Sequence, residues 1–249
     1  FKNWELIAID NGSEDNAKEI LKKIREKRVK KKYLKKNIGR TKCLNLGLKL
    51  CKGKYIAILD SDDIARKNRI AFQINRMKKN KKLWLTSSSY TKIDDKNRIL
   101  EKVVFKEDLK KKPRKLLYNN IIAHSTVLYR KKLIQNIGDY PRKFQYAQDY
   151  AFYLKTFKNY DIEIVKNDLV KLRTPHKSSE TFRKSKTSLI SLEELKLIYW
   201  VVKNFKLSQK EIFKIFIVLF KKVLKLIKLN SYIILIPLII FFLSVSFFE

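Results

Sequence analysis

The sequence predicts an α/β domain built on a mostly parallel sheet with flanking helices. Apolar runs of strand length alternate with segments of helical periodicity over about the first 60 residues, in the order strand, helix, strand, helix, strand. Consecutive βαβ units wind right-handed into a parallel sheet, which binds ligands at the carboxyl ends of its strands. With 45% hydrophobic residues, the 249-residue chain can also bury a core.

Predicted strands and helices alternate most clearly in the first half of the chain. Each predicted strand is a short apolar run that ends at a polar turn, and each predicted helix repeats its apolar residues every three to four positions. Thr41 is the predicted cap of the second helix, and Gly53 follows its end. Strands are predicted at residues 4–9, 29–34, 55–59, 83–88 and 99–105, and helices at 14–27, between Thr41 and Gly53, and at 66–79.

The second half is less regular. His124 interrupts an apolar stretch that is otherwise a strand candidate, and Pro175 stops an extended stretch. A strand is predicted at residues 121–129, helices at 131–137 and 148–160, an edge strand at 162–165 and extended chain at 169–174.

The charge of the chain is strongly positive. There are 58 Lys and Arg residues against 24 Asp and Glu, a formal net charge of +34. Lysines outnumber arginines by 46 to 12 and are scattered, whereas nucleic-acid-binding proteins usually concentrate arginine in one stretch. We therefore expect anionic partners such as acidic lipids or nucleoside diphosphates rather than nucleic acid. The two cysteines, Cys43 and Cys51, form no disulfide framework and indicate a reducing compartment.

The last 45 or so residues differ in kind from the rest. Ser208 and Glu211 form a predicted capping box for a helix that is apolar on most sides. Residues 186–230 are predicted to be basic amphipathic helices, and residues 231–248 carry no charge and form a predicted transmembrane or membrane-inserted helix. We expect membrane association, with the remainder of the chain on the cytoplasmic face of the cell membrane. The interleaved lysines are Lys210, Lys214, Lys221, Lys222, Lys225 and Lys228.

The sharpest chemical feature is the pair Asp60 and Asp62 at the end of a hydrophobic strand. Two carboxylates at this spacing can hold one Mg²⁺ or Mn²⁺ ion and leave its other positions to water and diphosphate oxygens. A calcium-binding EF-hand loop is excluded, because Ala65 and Ala71 stand where it needs Gly and Glu. A haloacid-dehalogenase-type phosphatase also places Asp-x-Asp after an apolar strand and stays a distant alternative, although Ile64 departs from its pattern.

Three polar motifs lie at the ends of predicted strands or at the start of a predicted helix. Asp10-Asn-Gly-Ser13 follows the first strand, Asn37-Ile-Gly39 precedes the second helix, and Asp60-Ser-Asp62-Asp63 follows the third strand. This combination resembles the nucleotide-sugar-binding half of glycosyltransferase family 2, whose fold is called GT-A. Further stretches resemble the acceptor side of that family: Ala123-His124-Ser125, Ile137-Gly138-Asp139-Tyr140 and Tyr146-Ala-Gln148-Asp149-Tyr150.

The resemblance implies a donor site on residues 1–105 and an acceptor side on residues 106–185 of one domain. By resemblance, the donor nucleotide contacts Asp10 and Asn11. The other residues implied in donor binding are Ser13, Asn37, Gly39, Asp60 and Ser61.

The resemblance also assigns the metal and the base. Asp60 and Asp62 would bind the divalent ion, and His176, after the last strand, would approach it or the phosphates. Asp149 matches the catalytic base, with Gln148 standing where relatives usually carry Glu. His124 is expected to be a hydrogen-bonded wall of the pocket.

The expected protein is thus an inverting glycosyltransferase that moves a sugar from a nucleoside diphosphate to a glycan or lipid-linked acceptor, in cell-surface polysaccharide synthesis. Family members begin with a strand and a helix that would precede Phe1. We therefore expect an N-terminally truncated domain with weak or no activity by itself. The rival from another class is a non-catalytic basic module that binds nucleic acid or acidic membrane.

Overall fold

Two sheets form the framework of the chain in its computed structural model, which describes residues 2–106, 108–109, 113–174 and 184–229. The first is a parallel pair, β1 (Leu6–Asp10) and β2 (Val29–Tyr33), with Asp10 level with Tyr33. The second has six strands in the order β3, β7, β5, β8 and β4, with β6 attached to β5. These six are β3 (Tyr55–Ala57), β4 (Ile64–Ala65), β5 (Leu83–Ile93), β6 (Ile99–Val103), β7 (Leu128–Arg130) and β8 (Asp161–Arg173).

The expectation of a mostly parallel sheet is wrong for this larger sheet. Only β5 and β8 pair in parallel there, and the pairs β3–β7, β5–β7, β5–β6 and β4–β8 are antiparallel. The chain reverses in a turn at residues 94–97 and returns as β6 beside β5. β7 then inserts between β3 and β5, running opposite to both. The alternation of strands and helices predicts each element from its own residues. It does not predict which strands pair, because β7 and β8 come from the second half of the chain.

Within the described residues, seven α-helices accompany the sheets. α5 is the most buried of the helices that pack on the larger sheet, since its side chains Phe152, Tyr153 and Leu154 are fully buried. Ile74 and Met77 of α3 form a core cluster with Leu83 of β5 and Leu128 of β7. The helices are α1 (Ala17–Lys23), α2 (Arg40–Leu50), α3 (Arg69–Lys79), α4 (Lys132–Ile137), α5 (Gln148–Asn159), α6 (Lys184–Asn204) and α7 (Gln209–Leu229).

Three local predictions are corrected by the structure. The predicted strand at 121–129 is a 3-10 turn, His124–Thr126, followed by the short β7, because backbone bonds from Thr126 and Val127 close that turn. The predicted edge strand at 162–165 and the extended stretch after it are one strand, β8, which lies between β5 and β4. Thr41 does not cap α2, since Gly39 holds that position and the Thr41 hydroxyl donates to the Phe144 carbonyl at 2.9 Å.

A buried arginine ties the ends of two strands together. Arg69 begins α3 and is 1% exposed. Its guanidinium donates to the carbonyls of Ile58 at 2.9 Å and Val127 at 3.0 Å, and its Nε donates to Gln73 at 3.1 Å. Burial lowers the pKa of Arg69 to about 10, so the group remains charged at neutral pH. The carbonyls that follow β3 and precede β7 are therefore held by one cation.

The chain divides into two compact units, residues 1–116 with 120–174, and residues 117–119 with 175–249. In the second unit α6 and α7 pack on each other through Leu197, Ile198 and Val201 of α6 and Ile215 of α7, all buried. The predicted capping box is present, since the Ser208 backbone N–H and hydroxyl donate to the Glu211 carboxylate at 2.8 and 2.9 Å.

Within the described part of the chain, none of the helices combines the length and the apolar character that crossing a bilayer requires. The predicted membrane segment at 231–248 lies outside the described residues.

Replacing Arg69 should test how much the first unit depends on it. Arg69→Met keeps the volume but leaves the two carbonyls without this donor, and we expect the free energy of unfolding to fall by about 2–4 kcal/mol. Urea denaturation measures the change. Arg98→Met, at a well-exposed arginine of the β5–β6 turn, is the control and should cost less than about 1 kcal/mol. Equal effects of the two variants would contradict this role of Arg69.

Candidate functional site

Two loops that the sequence predicts to bind the nucleotide lie side by side. The Asn11 side chain donates to Asn37 Oδ1 at 3.0 Å and accepts from the Ile38 backbone N–H at 3.1 Å. Asn37 Oδ1 also accepts from the Gly39 N–H at 2.8 Å. Asp10 is buried and accepts from the Ser13 N–H at 3.0 Å. The structure thus brings together Asp10, Asn11, Ser13, Asn37 and Gly39 as the sequence predicts; their roles toward a nucleotide remain predictions.

Asp10 is held as an anion in this loop. Hydrogen bonds from the Ser13 side chain and backbone lower the pKa of Asp10, with a smaller contribution from the charge of Lys18. A fixed carboxylate next to exposed amide groups can accept hydrogen bonds from a sugar hydroxyl or a base N–H.

The contact between the loops requires glycine at position 12. Gly12 has φ +75°, and a Cβ there would lie 2.5 Å from the Lys36 carbonyl carbon and 2.7 Å from the Asn37 nitrogen. Both the conformation and the lack of space exclude a larger side chain. The backbone of the first loop therefore reaches the second directly.

Arg40 links these loops to the Asp60 carboxylate. It follows Gly39 as the first residue of α2, and its guanidinium donates to Asp60 Oδ2 at 2.8 Å. The same Nη2 lies 3.2 Å from His124 Nδ1, and the Asp60 backbone N–H donates to the Ser125 hydroxyl at 2.9 Å. The two sequence regions that the strand-end pattern singled out are therefore joined through one arginine.

These contacts determine the charge of Asp60. Burial by itself would raise the pKa of Asp60, but the nearby His124 ring and the charge of Arg40 lower it to about 2. Burial would likewise lower the pKa of Arg40, and the charges of Asp60 and Asp149 raise it. Asp60 is consequently ionised, and Arg40 protonated, throughout the physiological range.

Asp149 lies close enough to Arg40 for their charges to interact. It stands in the first turn of α5, half-exposed, while its neighbour Gln148 is buried. Its Oδ1 accepts from the Tyr150 N–H at 2.7 Å. Its charge reaches Arg40, whose pKa it raises, and Tyr140, whose pKa burial and the nearby carboxylates raise.

His124 lies next to both Asp60 and Tyr140. It is buried, its Nε2 lies 3.2 Å from the Tyr140 hydroxyl, and its ring meets that of Tyr140 edge-on at 5.6 Å between centroids. Its Nδ1 is 3.7 Å from Asp60 Oδ1. His124 is thus hydrogen-bonded as expected, and its role as a wall of the pocket remains a prediction.

Asp62 and Asp63 follow Asp60 and are held by a residue that sequence reasoning missed. Arg173, the last residue of β8, donates from Nε to the Asp62 carbonyl at 3.0 Å and from its backbone N–H to Asp63 Oδ1 at 2.8 Å. Desolvation by burial raises the pKa of Asp63, and the charges of Asp62 and Asp60 add to it. Arg173 had no sequence signal, because 111 positions separate it from Asp62.

The carboxylates suit a hard divalent cation that is held partly by its substrate. Asp62 is exposed, and among the described residues no donor reaches its carboxylate. One oxygen of Asp60 is taken by Arg40. No cluster of three or more Asp, Glu, His or Cys side chains is preformed in the described ranges. Because Mg²⁺ is commonly bound by one or two carboxylates plus substrate phosphates, Asp60 and Asp62 fit it. His176 lies outside the described residues, and Ser61 is an exposed member of this turn.

The fold is shared with two solved structures. The structure of S. aureus TarS 1-349 aligns with a TM-score of 0.64 at 19% identity, over 92% of this chain and 64% of that one. A second structure, of TarS 1-349 in complex with UDP-GlcNAc, aligns with a TM-score of 0.59 at 18% identity, over 89% of this chain and 72% of that one. The chain therefore shares the fold of these two structures.

Sequence comparison defines the family. Residues 1–138 match the family described as Glycosyl transferase family 2. An uncharacterized glycosyltransferase of Methanocaldococcus jannaschii is 31% identical over 85% of this chain and 73% of its own length. The chain belongs to glycosyltransferase family 2, and the phosphatase alternative is set aside.

Another relative carries a more specific description. The UDP-Glc:alpha-D-GlcNAc-diphosphoundecaprenol beta-1,3-glucosyltransferase WfgD of Escherichia coli is 30% identical over 66% of this chain and 62% of its own length.

The two positive-φ glycines of the site offer a matched test of loop contact. Gly39 has φ +85° with open space around it, so Gly39→Ala should cost about 1–2 kcal/mol from backbone strain alone. Gly12→Ala adds a clash with backbone and should cost clearly more, about 3 kcal/mol or above. Thermal and urea unfolding compare the two. A Gly12→Ala variant as stable as Gly39→Ala would show that the loops are not in contact.

The lowered pKa of Asp60 predicts that the free energy of unfolding decreases at acid pH. Because its folded pKa of about 2 lies below the ordinary 3.8, its contribution is present above about pH 4 and is lost as the pH falls through 2. Its side chain is about one third exposed, so screening limits the contribution to about 1 kcal/mol.

The test compares urea unfolding at pH 5 and pH 2. Asp60→Asn should lose about 1 kcal/mol less than the unmodified chain over this interval. Glu19→Gln, at an exposed carboxylate of α1, should follow the unmodified chain. If Asp60→Asn lost as much stability between pH 5 and pH 2 as the unmodified chain does, the predicted ion pair would be refuted.

Proposed function

We propose that this chain is the catalytic part of an inverting glycosyltransferase that transfers a sugar from a nucleoside diphosphate to a hydroxyl of a glycan or lipid-linked acceptor. The observation that carries the proposal is that Asp60, Arg40 and Asp149 interact with one another, next to the two loops that contain Gly12 and Gly39. The activity of the E. coli relative and the UDP-GlcNAc complex of TarS support this donor class and a lipid-linked acceptor. Cell-surface polysaccharide synthesis at the cytoplasmic face of the membrane is the corresponding process.

The donor side consists of the two joined loops. Asp10 presents a fixed carboxylate, and Asn11 together with Asn37 fixes the backbone between them. These groups are placed to accept from ribose hydroxyls and the base. Arg40, immediately after the second loop, supplies positive charge where a pyrophosphate would follow the nucleoside. Its bond to Asp60 keeps that charge directed at the strand end.

The leaving diphosphate needs charge neutralisation. Asp62, with Asp60, would hold Mg²⁺ or Mn²⁺, and His176 is the further candidate ligand from the sequence. Such an ion neutralises the charge that develops on the departing diphosphate. Arg40 contributes to the same neutralisation without any metal, because its guanidinium stays protonated.

Asp149 is the proposed base. An inverting transfer needs one carboxylate that removes the proton from the acceptor hydroxyl as its oxygen attacks the anomeric carbon. Asp149 is half-exposed at the start of α5, so an acceptor can reach it, and the charge of Arg40 offsets its repulsion with Asp60. Tyr140, whose hydroxyl the charge of Asp149 reaches, is buried together with His124, and their rings are in contact.

A binding experiment tests the donor side. Titration calorimetry of UDP in the presence of Mn²⁺ should show that Asp62→Ala weakens binding at least tenfold, because one carboxylate ligand is lost. Without Mn²⁺ the unmodified chain and the variant should bind UDP equally weakly. Glu19→Ala, which removes an exposed carboxylate elsewhere in the unit, is the control and should bind as the unmodified chain does. Metal-dependent UDP binding that survives in Asp62→Ala would contradict the proposed metal site.

A kinetic experiment tests the base. With UDP-glucose as donor and GlcNAc-diphosphoundecaprenol as acceptor, Asp149→Asn should lower kcat by about 10²–10⁴ while UDP binding stays within twofold. The isosteric amide keeps the helix N-terminus intact, so circular dichroism should be unchanged. Transfer by Asp149→Asn at the rate of the unmodified chain would exclude this residue as the base.

A further inference from the structure

α7 has two apolar faces, and the described residues of the chain cover only one of them. Ile215 and Leu219 are buried, as is Glu211, and this face packs on α6. Lys222, on the same side, pairs with Glu194 of α6. A helix that needed only this packing would be polar on the opposite side.

The opposite side of α7 is instead lined with large apolar residues. Phe213 is 64% exposed, Phe220 54% and Leu224 41%. Spacings of seven and four place these three side chains on one line along the helix. A groove lined by Val202, Leu207 and Ile212 continues the apolar surface onto the turn between α6 and α7. Exposed apolar surface of this extent marks an interaction site.

Lysines border this apolar line along one edge. Lys210, Lys214 and Lys221 are exposed and lie between the buried face and the line of Phe213. Lys214 is fixed there, since its Nζ lies 3.3 Å from the Tyr118 hydroxyl and over that ring. The row carries three positive charges directly beside the apolar surface.

We propose that this face of α7, the line Phe213, Phe220 and Leu224 with its lysine row, docks on an anionic lipid bilayer. An apolar stripe bordered by lysines matches the boundary between acyl chains and lipid phosphates, where such helices lie in the membrane plane with their apolar face buried ~5–10 Å deep. A second copy of the chain is disfavoured as the occupant, because pairing two such faces would bring lysine rows of the same sign together. The inference does not depend on the sugar-transfer chemistry, since α7 holds none of the site residues.

Vesicle sedimentation with the full chain tests the docking face. Binding to phosphatidylcholine vesicles containing phosphatidylglycerol should exceed binding to pure phosphatidylcholine at least tenfold and should weaken with salt. Phe213→Glu with Phe220→Glu should reduce binding to the anionic vesicles at least tenfold. The matched control is Ile99→Glu with Leu100→Glu, which charges two similarly exposed apolar residues of β6 and should leave binding unchanged. UDP binding should be the same in all variants, which separates this test from that of the proposed function.

A depth measurement locates the helix directly. Phe220→Trp should gain blue-shifted emission and quenching by brominated lipids, relative to the three native tryptophans. Ile99→Trp should gain neither. Vesicle binding that survives the double glutamate change would assign it to another part of the chain, such as residues 231–248, and would overturn the proposal. A change from dimer to monomer in Phe213→Glu with Phe220→Glu, without loss of vesicle binding, would assign the face to self-association and overturn it equally.

Discussion

The candidate site depends on the buried guanidinium of Arg69. Its bonds to the Ile58 and Val127 carbonyls fix where the chain leaves β3 and where it enters β7. Asp60 lies two residues beyond the first of these carbonyls, and the turn with His124 and Ser125 directly precedes the second. Since Ser125 also accepts from the Asp60 N–H, one cation in the core sets the positions of two groups of the site. An unpaired buried cation is costly, and here it is tolerated because its donors reach backbone carbonyls and Gln73.

Arg40 is the second positive group on which the arrangement depends, and it acts at the surface. Carboxylates at close range repel each other, and a site with Asp60 and Asp149 on neighbouring elements needs a cation between them. Arg40 meets this need from the start of α2, immediately after the loop that contacts Asn11. The same residue therefore connects the proposed nucleotide loops, the strand-end aspartates and the proposed base. A pyrophosphate entering there would meet a charge that is already oriented.

The sequence predicted features that depend on neighbours along the chain. The polar turns after β1 and β3, the glycines of the loops, α5 with Asp149 in its first turn and the Ser208–Glu211 capping box all follow from local patterns. It did not predict the contacts that join the first half of the chain to the second. Thr41 was expected to cap α2, but its hydroxyl bonds a carbonyl 103 positions away, and Arg173 reaches the Asp60 turn from the end of β8. The prediction of a mostly parallel sheet was wrong for the same reason, because β7 and β8 enter the larger sheet from the second half of the chain.

The central claim is that the aspartates after β3 and the base on α5 face one pyrophosphate. The most direct test is a crystal structure of the chain with UDP and Mn²⁺, in which anomalous scattering locates the ion. The account predicts the ion about 2–2.5 Å from the Asp62 carboxylate, with the β-phosphate on the side of Asp149 and the uridine against Asp10 and Asn11. An ion bound away from Asp60 and Asp62, or a diphosphate whose far end points away from Asp149, would contradict it.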